Sequence, residues 1–306
     1  MPKCIVVINL LISTNYHFNF MAFQWQTFRT RALTAIVFVV VMLAGLLWSR
    51  WSFFILFSII HFGAWIEYQK LVSKFNPQYN KISWLHRYGI MVAGWCLLLF
   101  FSSYNLKISG IALTDVGFWT GIIFMILLPV IMLMDSRMVF LGNIVYSIVG
   151  VLYISLPLGL LTDLRNRWSA DISSLSYTIP LLIIFSLWIN DTMAYIVGSF
   201  IGKTPLSKIS PKKTWEGTAG GVILTIIVIS LIAYFSKRIS IADAAIMSGI
   251  AAIVGTLGDL FESKLKRMAA VKDSGNIMPG HGGFLDRFDS LLFAVVFVWL
   301  YAAFVF

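Results

Sequence analysis

Ionisable and glycine residues gather between Ser263 and Asp289, in the order S-K-L-K-R-M-A-A-V-K-D-S-G-N-I-M-P-G-H-G-G-F-L-D-R-F-D. These 27 residues carry five basic side chains, three acidic ones and a histidine, and strongly apolar runs flank them. An apolar chain that collects its ionisable groups in one place does chemistry or transport there. Asp259, Glu262 and Lys266 advance by three and then four residues, so they share one helical face. Lys272-Asp273 leads towards Pro-Gly-His-Gly-Gly, a turn that cannot be regular helix. Asp286 and Asp289 stand at i and i+3, aiming both carboxylates the same way as the last helix begins. Carboxylates beside lysine, arginine and glycine are what Mg²⁺-assisted phosphoryl or nucleotidyl transfer requires. The cation takes hard oxygen ligands, lysine and arginine neutralise charge on phosphate oxygens, and glycines admit backbone N–H groups to a phosphate. The plainer alternative is a salt-bridged loop whose charges neutralise one another. His281 could donate to phosphate, act as a general acid, or occupy the turn without a chemical role.

Two further polar islands interrupt the apolar pattern. Asn190-Asp191 falls late in an apolar run, where an aspartate is costly unless it is paired or faces water. The second island runs from Gly202 to Gly221. There Ser210-Pro211 reads as an N-cap followed by proline at the first helical position. Lys212 and Lys213 are then expected in the first helical turn, an unfavourable place for cations unless an anion sits with them. Ordinary interfacial basicity is the competing explanation.

The elements that must position these groups are membrane helices. Hydrophobic residues make up 59% of the chain and charged residues only 12%, against about 25% charged in a soluble protein. The reading is an all-α, polytopic membrane protein with about nine spans, each of about 20 apolar residues. They are expected near 32–48, 51–66, 88–104, 117–134, 142–161, 177–196, 218–235, 241–260 and 289–306. Residues 1–26 form an N-terminal segment of no assigned role, with Met21 as an alternative start. Residues 27–306 form a single transmembrane catalytic domain whose motif-bearing half is about 185–306. The net charge of +10 invites a nucleic-acid partner, but most of the 23 basic residues fall on one side of the threaded helices. That is the positive-inside bias, and it explains the charge without a polyanion. It sets the motif loops in the cytoplasm and the C-terminus outside, with the lipid bilayer as partner. Cys4 and Cys96 show no metal or redox spacing. Walker A, H-E-x-x-H and G-x-S-x-G patterns are absent.

The Ser263–Asp289 stretch closely resembles the signature of the phosphatidate cytidylyltransferases. Ser263, Lys266, Arg267, Lys272, Asp273, Pro279, His281, Gly282, Gly283, Asp286, Arg287 and Asp289 stand at its spacings. Ser210–Gly217 (S-P-K-K-T-W-E-G) and Asn190-Asp191-Thr192 are similar to two other segments of that family. The likeness runs from about residue 185 to the end. Met193 and Met278 depart from the pattern without removing a charge. The resemblance implies transfer of CMP from CTP to phosphatidic acid, with Mg²⁺ and room for a second cation, in a homodimer. It implies metal ligation by Asp259, Asp286 and Asp289. Lys266, Arg267, Lys272, Asp273, His281 and Arg287 are the implied catalytic set, and Lys212, Lys213, Gly282 and Gly283 the substrate contacts. Asp191 and Ser263 are expected in support. The rivals are a CTP-dependent lipid kinase and an anion or lipid transporter gated by the charged loop.

Overall fold

The computed structural model describes residues 25–134, 141–166, 175–277 and 282–306. His281 and the first 24 residues of the N-terminal segment lie outside them. The described chain is helical almost throughout, as expected where a bilayer leaves backbone groups no water to bond. The helices are α1 Trp25–Leu47, α2 Arg50–Phe75, α3 Trp84–Phe100, α4 Leu113–Met134, α5 Leu141–Gly150, α6 Leu156–Asn166, α7 Leu175–Ile201, α8 Trp215–Ser236, α9 Ile241–Met268 and α10 Leu285–Val305. A π-helical turn, Val151–Ser155, joins α5 to α6, so these form one continuous span. A two-residue hairpin pairs Lys107–Ile108 with Ile111–Ala112 ahead of α4.

Among the described residues, seven helical spans are long and apolar enough to cross a membrane. Two shorter apolar helices, Ala32–Leu47 and Trp84–Phe100, bring the apolar segments to the nine expected. The boundaries differ where function lies. Helix α2 continues to Phe75 rather than ending near 66, α9 runs to Met268 rather than 260, and α10 begins at Leu285 rather than 289. Hydropathy falls off where charges begin, yet lysine, glutamate and arginine are good helix formers and propagate the helix. Helix α9 stops only where Ala270 turns left-handed (φ 52°), with Val271 N–H on the Lys266 carbonyl and Ala270 N–H on that of Arg267.

The start of α8 also corrects the sequence reading. Ser210 is not its cap, and Lys212 and Lys213 precede the helix. Thr214 is the N-cap, its hydroxyl accepting from Gly217 N–H. The basic segment is instead held back against the end of α7. Leu206 N–H bonds the Lys213 carbonyl, Trp215 N–H bonds that of Thr204, and the Glu216 carboxylate accepts from Lys203 and Thr204 N–H. That pairing satisfies the backbone ahead of the helix, which a cap at Ser210 would not.

The closest-packed neighbours are α7 with α8, α9 with α10, and α3 with α4, while α2 reaches across to touch both α9 and α10. Lipid tails are as apolar as leucine, so close van der Waals fit holds such helices together. The α9–α10 contact shows this at Gly258. A Cβ there would stand 2.5 Å from the Asp289 carbonyl oxygen, so no larger residue fits. Gly258→Ala is expected to part these helices beside Asp259 and Asp289 and to cost about 1–3 kcal/mol. Thermal unfolding of the detergent-solubilised protein measures this, and an unchanged midpoint would contradict the packing argument.

Candidate active site

The N-terminus of α10 has no cap of its own, because Phe284 makes no side-chain capping bond. Glu67, on the extension of α2, supplies one from more than 200 residues away. Its Oε1 accepts from Phe284 N–H at 3.0 Å and its Oε2 from Leu285 N–H at 2.9 Å. A buried carboxylate at a helix N-terminus is favoured by both the free N–H groups and the dipole. Asp286 completes the same corner. Its Oδ2 accepts from Gly283 N–H and Ser274 N–H, each at 2.8 Å, and its Oδ1 from Lys266 Nζ at 2.7 Å. Lys266 also pairs with Glu262, which is fully buried. The Ser274 hydroxyl stands 2.8 Å from both Glu67 Oε2 and Asp286 Oδ2, and its single proton serves one of them at a time. Gly282 (φ 85°) and Gly283 admit this closeness. A Cβ on the first would meet the Asp286 carboxylate, and one on the second the Glu67 oxygens.

A second group of charges faces an open cleft. Lys213 Nζ lies 2.7 Å from Asp259 Oδ2, drawing the segment before α8 onto α9. Among the described residues Asp289 receives only its neighbour's N–H, from Ser290 at 2.6 Å. Asp191 makes no hydrogen bond or ion pair with any described residue, and Lys213 and Arg287 are the cations whose fields reach it. Asp191, Asp259 and Asp289 line a cavity of about 130 Å³, with Phe38, Met42 and Trp188 forming its apolar side. Asp191 also borders a larger cavity of about 510 Å³, lined on its far side by Lys212, Lys213 and Ser210. The two cavities, each with polar and apolar walls, therefore share an aspartate.

The fold brings Asp191, Lys213, Asp259 and Asp289 together, with Asp286 and Arg287 also lining the smaller cavity. It divides the three carboxylates expected to bind metal. Residues three apart on a helix are offset by about 60°, and here Asp286 is turned to Lys266 and the loop while Asp289 remains in the field of Asp259. Among the described residues no three His, Cys, Asp or Glu side chains form a ready cation cage. Arg267, Lys272 and Asp273 are exposed and make no side-chain pair with a described residue, and Ser263 is half-buried. Lys212 is exposed at the rim of the larger cavity. The sequence reading assigned no part to Glu67. One signal was available, since it is the only acidic residue among the first 114.

The sequence profile of the Cytidylyltransferase family matches residues 29–305. A protein named phosphatidate cytidylyltransferase from Staphylococcus saprophyticus is 32% identical over 277 residues, covering 87% of this chain and 96% of that one. The phosphatidate cytidylyltransferase of Bacillus subtilis is 38% identical over 156 residues, which is 50% of this chain and 56% of its own length. That of Aquifex aeolicus is 44% identical over 115 residues, 37% of this chain and 43% of its own length. With these last two the match spans only about half of each relative.

Removing the charge at Glu67 tests the remote cap. Glu67→Gln is expected to cost about 1.5–3 kcal/mol, the usual worth of a hydrogen bond to a charged group. Hydrogen exchange at the amides of Phe284 and Leu285 should quicken about tenfold or more. Unchanged exchange there would show that the cap comes from elsewhere.

Proposed function

The chain belongs to the cytidylyltransferase family, and from that membership we propose that it transfers the cytidylyl group of CTP to phosphatidate, forming CDP-diacylglycerol and pyrophosphate. The observation that carries this reading is that two chambers share Asp191, the smaller of them also lined by Asp259 and Asp289. The larger one, with Lys212 and Lys213 on its wall, suits a nucleotide triphosphate. The smaller one, with Phe38, Met42 and Trp188 opposite its carboxylates, suits a phosphate headgroup attached to acyl chains. Phosphatidate enters sideways between α1 and α7, and CTP enters from the end of the bundle that carries the motif loops. The positive-inside bias supports that end as cytoplasmic.

In the reaction a phosphatidate oxygen attacks the α-phosphorus of CTP in line. The new P–O bond forms as the bond to the bridging β-oxygen breaks, and pyrophosphate leaves with that electron pair. The nucleophile is already anionic at neutral pH, so no general base is needed. Lys213, at the boundary of the two chambers, neutralises charge on the phosphates, and Arg287 acts from the acidic side. The oxygen-only donors Asp191, Asp259 and Asp289 fit Mg²⁺, which usually takes one or two carboxylates plus substrate phosphates. Neither Asp191 nor Asp289 is spent on a side-chain partner among the described residues. When bound, the cation would offset negative charge on the nucleotide. Asp286, Lys266, Glu262 and Glu67 hold α9, α10 and the loop in register, and Asp286 also lines the smaller chamber.

Purified protein given labelled CTP and phosphatidate should form CDP-lipid and pyrophosphate. Movement of label from the γ-phosphate to a lipid would instead mark a kinase, and flux without turnover a transporter. Asp289→Asn should lower turnover about 100-fold or more with unfolding temperature retained, and a fully active variant would refute this assignment. Asp259→Asn should raise the Mg²⁺ needed for half-maximal activity by about 10–100-fold.

A further inference from the structure

Outside the acidic cleft, a cavity of about 480 Å³ opens against the motif loop at Ser274. Lys70 and Lys74 of α2, Arg87 of α3 and Ser274 line it, and among the described residues no carboxylate does. Lys70 and Lys74 lie four residues apart on one helical face, where like charges repel. Arg87 is the fourth residue of α3, near the positive end of that helix dipole. Its Nε and Nη2 are buried and find no acceptor among the described residues. A guanidinium cannot deprotonate to relieve this, and its nitrogens only donate. Buried donors without acceptors are costly, and here they adjoin a chamber walled by two further cations. Three cationic side chains on one cavity wall suit an anion with several acceptor oxygens.

We propose that this cavity is a second phosphate-binding site, separate from the catalytic cleft. Its occupant is a phosphate group, carried either by a lipid headgroup or by a soluble phosphate compound. Ile66 and Tyr88, both exposed on its wall, are compatible with a neighbouring acyl chain. The site has a physical route to the catalytic side. Ser274 lines the cavity while its N–H and hydroxyl bond the Asp286 carboxylate, and its hydroxyl also reaches Glu67. A bound phosphate therefore bears on the residue that links the loop to the α10 cap, and occupancy regulates how firmly that corner is held. This inference does not depend on which reaction the cleft performs.

The test uses the full chain carrying Lys213→Gln, so that phosphate binding in the catalytic cleft is weakened. In neutral detergent it is titrated with pyrophosphate by calorimetry. In phosphatidylcholine nanodiscs containing phosphatidylglycerol, retained anionic lipid is counted by native mass spectrometry. Binding of pyrophosphate identifies a soluble source, and retention of phosphatidylglycerol a lipid one. In either case the addition of Arg87→Gln should weaken binding about tenfold or more, while Arg87→Lys keeps part of it. Should Arg87→Gln fail to fold, Lys70→Gln with Lys74→Gln, both at exposed positions, carries the same expectation. The proposal is overturned if neither probe binds, or if binding is indifferent to all of these substitutions.

Discussion

One carboxylate holds the two halves of this protein in register. Glu67 rises on α2 from the N-terminal half and caps the first turn of α10 in the C-terminal half. The N–H groups it satisfies belong to the helix that carries Asp286 and Asp289. Their orientation is thus fixed from outside their own segment. A local serine or aspartate cap would have fixed the helix start alone. A cap from α2 also fixes the distance between the halves, because the carboxylate has only a short stem.

Around that cap the charges divide into two sets with different tasks. Glu67, Lys266, Ser274 and Asp286 bond one another, Glu262 pairs with Lys266 through one carboxylate oxygen, and the set is largely buried. Such a network is worth more to uniqueness of geometry than to stability, since taking its charges out of water offsets much of their attraction. Asp191, Asp259, Asp289 and Lys213 are under-satisfied and open to a cleft. Groups left short of partners in a folded protein are the ones available to substrates. Within the second set Lys213 pairs with Asp259, while Asp191 and Asp289 have no side-chain partner among the described residues.

Much of this was legible in the sequence. The nine apolar segments and the three polar islands were visible because burial of charge is so costly in a bilayer that composition alone betrays position. Helix ends were less so, because hydropathy reports what lipid tolerates, whereas Lys264, Lys266 and Arg267 extend α9 by propensity. The cap at Thr214 was hidden by the better-looking Ser210-Pro211, and only pairing with Thr204 and Leu206 decides between them. Equal spacing made Asp286 and Asp289 look equivalent. Lys266, twenty residues earlier, and Ser274 distinguish them. Glu67 lay furthest from view, since its partners are separated from it by most of the chain.

The length of α9 has a consequence for where the reaction happens. Its 28 residues span about 42 Å, against a hydrocarbon core of about 30 Å. If the Ser240 cap is set at the opposite interface, a surplus of about 12 Å projects beyond the core at the motif end. Asp259 lies nine residues before the end of the helix, or about 14 Å below its tip. That is the depth at which hydrocarbon gives way to headgroups. A lipid phosphate resides at this level already, so the proposed lipid substrate would not have to be lifted from its leaflet. In the proposed reaction the nucleotide would instead arrive from the projecting helix ends, and the boundary between two phases would be the plane of transfer.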